Sequence, residues 1–289
     1  MKYIFIALIF IYQLSNYAQD CFPENHLRFS AKNKGLDSIS EFNAKRLIEN
    51  FTKVMAPDVM KQMNKKLIVE LDWDNERVNA SATRDDDNNP VIRILGGMAR
   101  HPRMTRDGLL VILCHELGHH LGGAPKKLRG RSTKRSWSSA EGQADYFATS
   151  KCFPKIVSMK TETTNPFKNL KEGQSKAANL KCENDEVCLR IAAASLSVTE
   201  VFASIKGSRQ FPVLDKRDFT EVGVTNYGHP QSQCRLDTLM AGSYCRKYLD
   251  DPFDNIDPMI GACVSLEGDK NNQEAMRPRC WYYPQQLFK

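Results

Sequence analysis

Beyond its first dozen residues the chain has no apolar run long enough to cross a bilayer, which takes about 20 residues. It also has no internal repeat and no low-complexity tract. These absences exclude a polytopic membrane protein, a solenoid and a fibrous or wholly disordered chain. Neither sign of charge dominates: 41 Lys and Arg stand against 34 Asp and Glu, a net charge of +7 over 289 residues. No nucleic-acid motif and no interleaved aromatic platform accompanies that charge, so nucleic acid is not an expected partner. Histidine is scarce, at six, which makes each one informative. Cysteine is not scarce: there are nine.

The compartment decides what nine cysteines mean. In a reducing cytosol they point to metal or redox work, and in an exported protein to disulfides. Lys2 is followed by an apolar run from Tyr3 to Tyr12 and a polar stretch from Gln13 to Ala18, the three regions of a secretory signal. The run is about half a bilayer span, so we expect cleavage after Ala18, no stable membrane anchor, and a secreted or periplasmic mature chain. Cys21 follows Ala18, Gln19 and Asp20, which is not the small-residue context of a lipid-modified cysteine. Eight cysteines then pair and one is left over.

Apolar positions at helical spacing over residues 36 to 64 predict one or two amphipathic helices. Residues 67 to 73, 78 to 83 and 91 to 95 read as strands, the last two joined through Asp85, Asp86, Asp87, Asn88 and Asn89 as a hairpin. The three aspartates lack the alternating spacing of a calcium loop. A helix opens at Asp107 as its cap and stops at Gly122 and Gly123. A second starts near Ser138 and runs towards Cys152, residues 160 to 185 look irregular, and further helices are expected at about 186 to 206 and from Pro230 to about Met240. The pattern is α+β: a small mixed or antiparallel sheet packed on the helix of residues 107 to 121, with a mainly helical, disulfide-bearing C-terminal part.

That helix carries the chemistry. His115, Glu116, Leu117, Gly118 and His119 form an H-E-x-x-H pattern. Four residues of an α-helix advance about 400°, so both imidazoles leave one face and can share a Zn²⁺, one per chain, with Glu116 placed to take a proton from an attacking water. His120 lies about 100° further round and cannot join that face. A catalytic zinc needs a third protein ligand. Glu141 is the candidate, and Asp145, one turn on, can accept the free ring N–H of a zinc histidine. A competing reading makes Glu141 the last member of a capping box with Ser138.

His115 to His119 together with Glu141 to Asp145 resembles the gluzincin arrangement, and in particular the CAAX prenyl endopeptidases and HtpX-like proteases. Val78 to Ala82 is similar to that family's strand ahead of the zinc helix, and His229 to Leu236 to its downstream H-P-x-x-x-x-R segment. The resemblance implies a zincin-like catalytic unit over residues 19 to 289, with a core at about 67 to 240 and a Cys-rich extension at about 241 to 289. It implies zinc on His115, His119 and Glu141, Glu116 as general base, Asp145 supporting a ligand, and His229 stabilising the oxyanion. Arg235 would order its helix or a neighbouring carboxylate, and Asn79 would bind substrate backbone. The family's transmembrane helices are missing here, which favours an exported zinc endopeptidase acting on polypeptides. A zinc-bearing envelope binding protein without turnover and a zinc amidase acting on cell-wall peptides are the alternatives.

Among the cysteines, Cys182 and Cys188 are close enough for a local loop. Cys234 and Cys245 would lie too far apart on one helix to bond each other. Cys114 and Cys152 are expected to clamp the two zinc helices together, the other readings of Cys114 being a zinc-directed thiol or an inert buried one. The basic residues between Lys126 and Arg135 border the expected cleft, favouring acidic substrates, or form an exposed nicking site.

Overall fold

At the centre of the fold stands helix α3, Arg106–Leu121, with every residue from Gly108 to Leu121 buried. A helix apolar nearly all round is stable only when packed on all sides. Around α3 pack α1 (Glu41–Met63), the sheet strands β3 (Ala80–Arg84) and β4 (Pro90–Leu95), α4 (Glu141–Phe147) and α7 (Glu186–Ile205). The computed structural model describes residues 19–32, 39–128, 134–159, 170–245, 251–264 and 270–284. The expected signal, residues 1 to 18, lies outside the described residues.

The sheet is mixed, in the order β1-β3-β4-β2, with β1 at Gln19–Asp20 and β2 at Ile68–Asp72. The hairpin β3/β4 is antiparallel, with Ala82 opposite Ile92, whereas β2 runs parallel to β4. Asp85 accepts from the backbone N–H of Asp87 and Asn89 at 3.0 and 2.7 Å, so that carboxylate closes its own turn. A short helix α2, Gly96–Ala99, leads from β4 towards α3. The core joins Phe51 and Met55 of α1, Ile92 and Ile94 of β4, Leu109 to Leu113 of α3, and Val198 and Phe202 of α7.

Several expectations are corrected. Residues 41 to 63 form one helix, capped by Ser40. The cap of α3 is Thr105, whose hydroxyl accepts from Gly108 N at 3.0 Å, an interaction that contributes about 1 kcal/mol. Asp107 sits inside the first turn and takes a two-point bond from Arg190 at 2.9 Å, tying α3 to α7. The second helix begins at Glu141, because Ser138 and Ser139 end strand β6 (Arg135–Ser139), which pairs with β5 (Lys126–Leu128). Ala140 is the residue before that helix and caps nothing with its side chain, so the capping box with Ser138 does not form. After α4 the helix widens to a π segment at Ala148–Cys152 and resumes as α5, Phe153–Ser158.

In the stretch expected to be irregular, Glu172–Cys182 forms helix α6; residues 160 to 169 lie outside the described residues. Helix α8 spans Ser232–Tyr244, starting after Pro230 and running past Met240. Helix α7 has the length and apolar composition of a bilayer span, contrary to expectation, and 78% of that window is buried within the fold. Its apolar surface meets α3 and α8, which makes it a core helix.

Four disulfides hold the framework: Cys114–Cys152, Cys182–Cys188, Cys234–Cys280 and Cys245–Cys263. The first clamps α3 to the segment after α4, as expected, and Cys234 and Cys245 find partners elsewhere. Four such bonds fit an oxidising, extracytoplasmic environment. Cys21 is the free thiol, and it is buried.

Candidate metal centre

Three donors converge where α3 meets α4. Each of His115, His119 and Glu141 offers one ligand atom, all within 4.8 Å of one another, and all three side chains are wholly buried. Gly118 makes the approach possible: a Cβ there would stand 2.8 Å from the Ala144 carbonyl oxygen, so no larger residue lets the two helices come as close.

The ring orientations follow from their partners. His115 Nδ1 lies 2.7 Å from Asp145 Oδ1, and His119 Nδ1 lies 3.0 Å from the Ser139 carbonyl oxygen. A carbonyl only accepts, and so does an ionised carboxylate, so both Nδ1 atoms donate, and in the neutral rings it is Nε2 that keeps the lone pair. Neither Nε2 has a hydrogen-bond partner among the described residues. Glu141 nonetheless sets an oxygen 3.3 Å from His115 Nε2 and its other oxygen 3.7 Å from His119 Nε2. With neutral rings acceptor faces acceptor in both cases, an arrangement that a shared cation resolves. A four-coordinate ion with bonds of about 2.0–2.2 Å holds its ligands about 3.3–3.5 Å apart, so the donor set fits a metal ion.

A second layer fixes the first. Arg235, from α8, is fully buried and grips Asp145 through two bonds of 2.7 and 2.8 Å. Burial by itself would raise the Asp145 pKa, but Arg235 and His115 outweigh it and hold the carboxylate below its ordinary value. Burial works against the His115 imidazolium, yet Cys21 and Asp145 beside it raise its pKa well above the ordinary value. His119 is pushed well below by burial. Burial would raise the Glu141 pKa, but Lys127, 2.6 Å away, together with His119, His115 and His229 holds it well below the usual carboxylate range. Glu116 has no charge partner of that quality: burial pushes it up to about 8, and neither carboxylate oxygen has a hydrogen-bond partner among the described residues.

His229 and Asn79 both stand at this centre. His229 Nε2 is 3.4 Å from Glu141 Oε2 and 3.0 Å from the Cys21 carbonyl oxygen. Asn79, just before β3, accepts from Phe22 N at 3.1 Å and donates to Phe22 O at 3.3 Å, so the backbone it holds belongs to this chain. His120 points away from the donors and stacks on Trp137.

Two contributors escaped the sequence reading. Lys127 was part of a basic stretch assigned to the cleft border, but it turns inward to Glu141, and Lys126 is buried with its ammonium donating to Trp137 O at 3.0 Å. The acidic-substrate reading therefore loses two of its charges. Cys21 is the other: its Sγ, a His115 ring nitrogen and a Glu116 oxygen lie within 4.8 Å of one another. The odd number of cysteines signalled a spare thiol without signalling which one.

No protein-family model, no curated protein and no solved structure matches this chain.

Proposed function

We propose that the protein is an exported zinc-dependent endopeptidase, a gluzincin resembling the CAAX prenyl endopeptidases and HtpX-like proteases. The observation that carries this reading is the convergence of two imidazole Nε2 atoms and one carboxylate, beside a second, buried carboxylate whose oxygens have no hydrogen-bond partner among the described residues. Two nitrogens and one oxygen are a donor set that suits catalytic zinc. When bound, zinc supplies Lewis acidity that polarises a substrate carbonyl and acidifies a water.

The chain's own groups do the remainder. Glu116 receives the proton of the attacking water and returns it to the leaving amine as the C–N bond breaks. His229 donates from Nε2 to the oxygen that becomes negative; in this structure the same atom already lies 3.0 Å from a main-chain carbonyl oxygen. Arg235 holds Asp145, and Asp145 holds the His115 ring in the tautomer that exposes Nε2. A polypeptide substrate is supported by the way β3 and Asn79 hold an extended segment, Gln19 to Phe22 of this chain, by its backbone next to the donors.

Glu116→Gln tests the reading. The variant keeps its fold and its stoichiometric zinc and loses about 10²–10⁴-fold in polypeptide hydrolysis. A wild-type protein without stoichiometric metal, or a variant that cleaves as well as wild type, overturns it. Parallel assay on cell-wall peptides separates an endopeptidase from an amidase.

A further inference from the structure

The sequence reading sets the Cys-rich extension apart from the catalytic core, but residues 275–283 of it are tied to α4, to α8 and to the run that leads into His229. On α4, Glu141 and Asp145 share the face turned to the donors. Gly142 and Tyr146 lie about 100° round the helix from them, and Gln143 on the opposite side. All three of these residues meet the extension. The Trp281 ring, fully buried, lies so close on Gly142 that a Cβ there would stand 2.3 Å from it. The Tyr146 hydroxyl donates to Ala275 O at 2.6 Å. Gln143 uses both ends of its amide. Its Oε1 accepts from Arg277 at 3.0 Å, and its Nε2 donates to Gly122 O at 2.7 Å, at the end of the helix that carries His119.

Arg277 is itself buried, and its guanidinium also donates to the Ala124 and Pro258 carbonyl oxygens. A guanidinium serves several acceptors at once in a fixed plane, a geometry that a lysine does not reproduce. The same stretch holds the approach to His229. Asn226 N donates to Trp281 O at 2.8 Å, Val222 N donates to Arg279 O at 3.0 Å, and Tyr227 O accepts from Glu141 N at 3.4 Å. The Cys234–Cys280 disulfide fastens the stretch to α8, one residue from Arg235.

We propose that residues 275–283 are a positioning strap for the metal centre, with Arg277 and Trp281 as positioning residues that set α4, and so Glu141, at its distance from the two histidines. This rests on the three-donor metal centre of the reading above. His115 and His119 are one turn apart on α3 and share a face through helix geometry alone. Glu141 comes from a separate helix of 7 residues, so its place depends on what packs against the rest of that helix. Metal–ligand distances hold to about 0.2 Å, and a small drift of α4 therefore weakens the site although no donor has been changed.

The test compares the full-length wild type with Arg277→Met and Trp281→Phe. The control is the double variant Cys182→Ala/Cys188→Ala, which removes a disulfide between α6 and α7. Each protein is checked for its fold by near-ultraviolet circular dichroism, freed of metal, and titrated with Co²⁺ against a competing chelator. Arg277→Met should raise the cobalt dissociation constant about 10–100-fold, the range for groups that orient metal ligands. Amide exchange of residues 141–147 should quicken in the metal-free variant, while the control binds cobalt as wild type does. Should Arg277→Met not fold, Trp281→Phe, which keeps a ring on Gly142 but fits it less closely, carries the same expectation at the low end of that range. Equal dissociation constants in strap variants and wild type, or an equal loss in the control, overturn the strap and leave the peptidase reading standing. Weaker cobalt binding in the strap variants, with no polypeptide hydrolysed by zinc-loaded wild type, sustains the strap and sinks the peptidase reading. A wild type that binds no cobalt overturns both.

Discussion

The centre is built from two faces that hold their groups by different means. On the helical face, α3, α4 and α8 lock side chain to side chain: Arg235 on Asp145, Asp145 on His115, and Cys114 on Cys152 just behind. On the strand face, β3 and Asn79 hold the segment Gln19 to Phe22 mainly through its backbone. A side-chain lock tolerates little change in residue identity, because a buried charge left without its partner is costly. Backbone bonds are indifferent to sequence. The first face is therefore fixed by residue identity, and the second by backbone geometry.

Four changes would break or sharpen that contrast. The largest effect is expected on the helical face from Arg235→Leu, which strands the buried Asp145 carboxylate and should cost about 3–5 kcal/mol in urea unfolding; a loss under about 1 kcal/mol would mean that this pair does not lock the face. Replacing both Cys114 and Cys152 by Ala removes a crosslink spanning 38 residues, and chain entropy puts the loss at about 4 kcal/mol, read as a lower chemical midpoint.

The third concerns pH and the tail of the strand-face segment, where Phe29 packs on His101. Burial, aided by Arg103, lowers the His101 pKa from 6.5 to about 4, and its Nδ1 accepts from Arg103 N at 3.1 Å. Between those values the unfolded chain binds more protons, so this contribution is complete above pH 6.5 and declines as pH falls towards 4. The shift corresponds to about 3 kcal/mol. A His101→Gln variant should flatten that part of the stability profile; an unchanged slope would remove His101 as its source. The smallest effect is expected from Asn79→Ala, which leaves Phe22 N and Ala80 N without their acceptor. The cost should be about 1–2 kcal/mol, with faster hydrogen exchange confined to residues 19–22 and the adjoining strand. A global rise in exchange would show that the two faces are not separable.

The residues of the helical face were legible because they obey helical periodicity. His115 and His119, and Glu141 and Asp145, are each one turn apart, so spacing alone puts each pair on one side of its helix. The hairpin of β3 and β4 was legible from alternation and its Asp/Asn turn, and α7 from its apolar run. The start of α4 was misjudged because Ser138 and Ser139 suit a helix cap locally, while pairing of β6 with β5 claims them for a strand. Helix α6 was missed because it is polar over most of its length, burying only Ala178 and Cys182. Lys127 and Cys21 had no local signal at all. Each reaches the centre through a chain reversal that brings distant segments together.

By itself, then, the sequence determined the residue types of the centre, their spacing within each helix, and the existence of one cysteine too many. Periodicity is a short-range property, and it survives in one dimension. Only the tertiary structure decided that Glu141 meets the two histidines, that Arg235 from α8 steadies Asp145, and that the spare thiol is Cys21, lodged beside His115 and Glu116. Those juxtapositions depend on how buried surfaces fit across long sequence separations, where the energy lies in packing and desolvation and not in any local pattern.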